Sequence, residues 1–216
     1  MKQIKAEENK LLSIGFLLSL VTVIYNLIEG TVSTYFGAHD ETLALLGFGV
    51  DSFVEVISGL GVAHMIYRIR RRPVTERDRF ERTALRITGA SFFLLTAGLT
   101  VGAIINIAGN NRPVATLVGL IVSAVSIVAM WTLMRFKLRV GRALSSEAII
   151  SDAHCTRACL RLSFVLLASS ALYELFRVPY VDVIGSLGIA YLSFLEGREA
   201  FEKARSSPLV CTDNCH

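Results

Sequence analysis

Three stretches of this chain carry no charged residue: 11–28, 87–111 and 113–134, runs of 18, 25 and 22 residues. A bilayer span needs about 20 consecutive predominantly apolar residues, so these runs set the class before anything else is read. A soluble globule, a DNA-binding domain and a disulfide-rich secreted module are poor readings. Nucleic acid is not expected as a partner although the formal net charge is +4, because in a membrane protein the position of Lys and Arg matters more than their sum. The 216 residues, divided into helices of about 20 to 28 with short connections, allow roughly six spans and no large domain outside the bilayer.

The expected spans are 11–29 (running on to about Tyr35), 42–67, 82–107, 114–134, 145–176 and 181–201. Gly109-Asn110-Asn111-Arg112-Pro113 makes a short turn, so the fourth span should return antiparallel to the third. Arg177-Val178-Pro179-Tyr180 ends the fifth, since proline disfavours helix at the residue before it. Lys2, Lys5 and Lys10 give the first span the basic flank of a signal peptide. No small-residue cleavage site follows its apolar core, and the later spans would anchor the chain in any case. The expected fold is an all-α polytopic membrane protein, with 1–205 a six-helix transmembrane domain and 206–216 a short Cys/His-containing tail.

Orientation follows from the basic residues counted by connection. Three lie at the N-terminus, eight between Arg68 and Arg86, four at Arg135, Lys137, Arg139 and Arg142, and three at Arg198, Lys203 and Arg205, so 18 of 22 fall on one side. Arg112 and Arg177 fall opposite, and Arg157 and Arg161 lie inside the fifth span. Six spans with both termini in the cytoplasm, in a cell (inner) membrane, satisfy the positive-inside rule. An odd number would put a basic cluster on the wrong side.

A charge at the bilayer centre costs at least about 2.5–3.5 kcal/mol on insertion scales, and such residues mark ion or proton paths when they face a cavity. Asp51 and Glu55 are four apart, on one face of one helix. Asp152, Cys155 and Cys159, at i, i+3 and i+7, also share a face. If the second and fifth spans are neighbours, two carboxylates and two thiols can meet. Four such ligands suit a tetrahedral cation, and thiolates favour zinc or cadmium over magnesium or calcium. Two alternatives stand beside this reading: the acids as partners of Arg157 or Arg161, and the cysteines as small apolar core residues.

Other polar residues rank lower. His154 is roughly 100° round the helix from that face and suits orienting or shuttling protons better than binding metal. Asn26 and Glu29 read equally as interfacial or as part of a pathway, while Glu174 and Asp182 with Arg177 read as a local charge network. In the tail, Cys211, Cys215 and His216 form a secondary candidate for transient metal binding, or else incidental free thiols. A structural disulfide is not expected in a reducing cytoplasm.

The segment Leu46-Gly47-Phe48-Gly49-Val50-Asp51-Ser52-Phe53-Val54-Glu55 resembles the second span of the cation diffusion facilitator family, where two acids four residues apart supply half of the transport site. Glu55 stands where the family usually has a second Asp. Ser151-Asp152-Ala153-His154-Cys155-Thr156-Arg157-Ala158-Cys159 resembles the fifth-span pattern of Asp, two residues, His, three residues, Asp, with Cys155 and Cys159 in place of the His and the second Asp. The stretch from Pro179 to Gly188 is similar to the last span. Within the family the chain resembles most the compact branch that includes the vertebrate synaptic-vesicle zinc transmembrane protein. A cytoplasmic domain follows the sixth span in typical members, and here the short tail stands instead.

The resemblance implies efflux of a divalent transition metal, zinc foremost, by proton antiport with alternating access in a homodimer. No enzyme activity and no prosthetic group is expected. Asp51, Glu55, Cys155 and Cys159 would hold the ion, with Asp152 as an additional ligand or as a support behind them. Alternatives are an intramembrane thiol-disulfide oxidoreductase, disfavoured by the lack of a Cys-x-x-Cys signature, and a metal sensor or accessory protein without flux of its own.

Overall fold

The computed structural model describes residues 2–39, 42–69, 77–109, 117–144, 147–176 and 180–205. They form six helices, α1 (Lys2–His39), α2 (Leu43–Ile69), α3 (Arg77–Gly109), α4 (Leu117–Ala143), α5 (Glu147–Phe176) and α6 (Tyr180–Arg205), and no strand among the described residues. Five of them, α1 to α5, are long and apolar enough to cross a membrane. In α6 the charges of Asp182, Glu196, Arg198 and Glu199 interrupt the apolar pattern. Along the apolar spans the outward faces are largely apolar: Leu94 and Leu175 are each 75% exposed, and Ile104, Ile121, Val128 and Ile184 project likewise. In water such a continuous surface would drive aggregation; lipid solvates it.

Each helix follows its expected span, but most run past the apolar core. At 38 residues, α1 is about 57 Å long at 1.5 Å per residue, well beyond a hydrocarbon layer of about 30 Å. The overrun that carries the most charge into the described bundle is in α4, which continues through Arg135, Lys137, Arg139 and Arg142 to Ala143. These four basic residues therefore belong to the helix and not to the connection after it. Arg135 lies over the ring of Trp131 and Arg139 over that of Phe136, at 5.1 and 5.9 Å from the ring centroids, so their charged ends sit against aromatic faces.

The helices pack chiefly in pairs, α1 with α2, α3 with α6 and α4 with α5, and α2 reaches α3, α5 and α6 as well. The main core gathers Leu45 and Phe48 of α2, Leu95 and Leu99 of α3, Met130 of α4, Leu162 and Leu166 of α5 and Ile189 of α6. A second cluster, Ile66, Val140 and Ile149, closes the end where α2 and α4 finish and α5 begins. Because lipid supplies no hydrophobic drive between helices, close approach through small residues matters more. At Gly49 a Cβ would stand 2.6 Å from the backbone nitrogen of Thr34, so α1 and α2 can cross there only with glycine.

The start of α2 is held from a distance. Asp182 of α6 accepts hydrogen bonds from the backbone N–H of Leu43 (2.8 Å) and of Ala44 (3.2 Å). Those N–H groups have no partner within their own helix. The carboxylate of Asp182 thus caps α2, a role the local reading did not include; Arg177, its expected neighbour, lies outside the described residues.

Candidate functional site

The spacing of Asp51 and Glu55 stacks both carboxylates on the inward face of α2, where both are buried. Across from them α5 turns Cys159, buried, and Cys155, half-buried, toward the same space. A small cavity results, lined by Asp51, Val54, Glu55 and Ser58 of α2, Cys155 and Cys159 of α5, and Thr88 and Phe92 of α3. The second and fifth helices are thus neighbours, as the ligand reading requires. Thr88 and Phe92 were not among the sequence candidates; one polar and one aromatic residue in α3 carry no signal of their own.

Neither carboxylate oxygen of Glu55 has a hydrogen-bond partner, although both are buried. Native interiors rarely leave such atoms unsatisfied, and each exception calls for an explanation. Among the described residues no three Asp, Glu, His or Cys side chains already stand in a metal-coordinating cluster. The donors share a cavity without being drawn in to a common point.

Asp152 is arranged differently. Its Oδ2 lies 2.8 Å from Nζ of Lys137, each side chain being 1% exposed, and it does not line the cavity. The Lys137 ammonium also donates to Thr156 Oγ1 at 2.9 Å, and that hydroxyl donates to the carbonyl of Asp152 at 3.2 Å. Lys137, counted by sequence with a cytoplasmic connection, is in fact a core residue. The signal was its register: Ser123, Ser126, Met130, Leu133, Lys137 and Val140 are all buried and recur every three or four residues, one face of a helix.

Glu29 also lies inside. Its Oε1 accepts from Tyr25 at 2.8 Å and its Oε2 from Ser52 at 3.1 Å, one position from Asp51. With Ser19, Thr22, Asn26 and Ser33, all buried, it makes a polar inner face on α1, which removes the interfacial reading of Asn26 and Glu29. Arg161 forms its ion pair with Glu196 of α6 at 3.2 Å and not with the α2 acids. His154 is half-buried and outside the cavity lining. Cys211, Cys215 and His216 lie outside the described residues.

Comparison with known proteins accords with this arrangement. The model of the cation efflux transmembrane domain matches residues 15–207, a range that takes in all three helices lining the cavity. An uncharacterized transporter of Methanocaldococcus jannaschii is 23% identical over 178 residues, covering 80% of this chain and 62% of the relative. The chain therefore spans less than two thirds of that relative's length. Both matches are to transport proteins and not to enzymes. By its match across nearly the whole helical bundle, the chain belongs to the cation efflux family.

Proposed function

We propose that this protein exports a divalent transition-metal cation of the zinc and cadmium class from the cytoplasm, in exchange for protons, with Asp51, Glu55, Cys155 and Cys159 as the ligands. The observation that carries the reading is the buried Glu55 carboxylate with no hydrogen bond of good geometry on either oxygen, in a cavity that also holds a second carboxylate and two thiols. An arriving cation satisfies that carboxylate. Two sulfur and two oxygen donors suit tetrahedral coordination and lean toward soft ions.

Proton coupling rests on ligand chemistry. Carboxylates and thiols hold metal only when deprotonated, so binding the ion releases protons and reprotonation ejects it. Exposing the cavity alternately to the two sides turns that linkage into antiport. The α2 and α5 segments that carry all four donors also touch the other pairs of helices, so the proposed site lies where the pairs meet. Six spans with both termini in the cytoplasm of a cell (inner) membrane fit the grouping of the basic residues, and a homodimer fits the family resemblance. His154, near the donors on α5, is assigned to proton shuttling, and the Cys211, Cys215 and His216 tail to transient capture of the ion.

The test is uptake of zinc, cadmium, cobalt and manganese into inside-out vesicles, with and without a proton gradient. The expected result is gradient-dependent uptake of zinc or cadmium that is lost in Asp51→Ala. Unchanged flux in that variant overturns the site, and flux indifferent to the gradient overturns the antiport.

A further inference from the structure

Asp152 shares a helix face with Cys155 and Cys159 and lies near enough to Glu55 and Cys155 for its charge to act on both. It is nevertheless outside the cavity lining. What engages it is the ammonium of Lys137, 2.8 Å away and equally buried, fixed in turn by Thr156 between the two cysteines. A buried ammonium persists only when paired and hydrogen-bonded, and here the carboxylate and the hydroxyl supply both. In effect the protein carries a tethered cation that competes with the transported ion for Asp152 and whose charge also reaches Glu55.

We propose that Lys137 is a specificity-determining positioning residue: by holding Asp152 out of the ligand set it keeps the site at two thiols and two carboxylates, selective for soft ions. The inference rests on the proposed reading of the cavity as the transport site. A third carboxylate would raise the share of hard oxygen donors, which suit manganese better than cadmium. Lys137 thus sets which ions are accepted without touching them.

The test uses the full-length protein in proteoliposomes, with cadmium and manganese as the probe ions. Lys137→Met frees Asp152 and should raise manganese uptake relative to cadmium at least tenfold. Lys137→Arg, which can still hold the carboxylate, should keep the wild-type ratio. Because Lys137→Met leaves a buried acid unpaired and can fail to fold, the deciding variant is the double Lys137→Met with Asp152→Asn, which removes both charges. It should bind cadmium within about threefold of wild type, as expected if Asp152 is not a ligand. A tenfold loss of cadmium binding in the double variant, or an unchanged ion ratio in a folded Lys137→Met, overturns the proposal. Failure of the wild type to take up either ion would instead overturn the reading of the cavity on which the proposal rests.

Discussion

Glu55 and Asp182 are both acids buried in the bundle, 5% and 2% exposed, yet their surroundings are opposite. Asp182 gives both oxygens to backbone N–H groups at the start of α2. Glu55 accepts no hydrogen bond of good geometry on either oxygen, and only the charge of Lys137 reaches it through space. Burying a carboxylate without compensation is among the most costly things a fold can do, and the other interior acids show how readily it is avoided: Glu29 has Tyr25 and Ser52, and Asp152 has Lys137. Burial alone therefore does not separate a structural acid from a functional one. The partner does, and an acid whose partner comes and goes is what a carrier of cations requires.

The widest test of this contrast is to neutralise each acid and read flux and stability separately. Glu55→Gln should abolish metal uptake, a loss of at least about 100-fold or ~2.7 kcal/mol in barrier, while the thermal midpoint stays the same or rises, since no hydrogen bond is lost and a buried charge is removed. A large fall in the midpoint would make Glu55 structural. In the wild type, metal affinity should drop as the pH is lowered, because protonating the carboxylates and thiols removes the ligands. Titration of cadmium binding from neutral to acidic pH checks the sign, and affinity rising with acidification would contradict the ligand assignment.

Where a partner exists, the cost falls on stability and not on flux. Lys137→Met strands Asp152 and should cost about 3–5 kcal/mol of stability, whereas the double Lys137→Met with Asp152→Asn should recover most of it. Equal losses in the two variants would mean that packing around the lysine stem, and not the ion pair, is what is measured. Asp182→Ala removes the cap of α2 and should cost about 1–2 kcal/mol while leaving uptake per folded molecule unchanged. Should uptake vanish with the fold intact, Asp182 belongs to the transport path and the contrast with Glu55 fails.

The helices were legible because charge is missing from them, and the acid pair on α2 because a spacing of four puts both on one face. The cysteines of α5 were legible for the same reason, through their register with Asp152. The ends of the helices were not, since an α-helix continues wherever its backbone is satisfied and does not stop at the edge of an apolar run. That is how Lys137 came to be counted with a connection: a basic residue near Arg135 and Arg139 looks like its neighbours unless its register with Met130 and Leu133 is followed. The capping role of Asp182 was not legible because its partners are 139 and 138 residues away, and no local pattern encodes a cap delivered by another helix. Thr88 and Phe92 join the cavity only through the way α3 lies on α2, which a single span does not contain.

The weakest effect completes the contrast from the other side. Glu202 has a partner, Arg198 Nε at 3.1 Å one turn earlier in α6, but both side chains are 64% exposed. In high dielectric such a pair gains little over separately solvated charges and pays for ordering two long side chains. The order also runs against it, because on a helix the acid stabilises better when it precedes the base. Glu202→Ala should therefore change stability by no more than about 0.5 kcal/mol and leave uptake alone, as thermal melting and vesicle flux would show. A loss comparable to that of Asp182→Ala would mean that a partner matters even without burial. If the loss is small, the two variables separate: partnership without burial does little, burial with partnership stabilises, and burial without a hydrogen bond, as at Glu55, is what the proposed ion site uses.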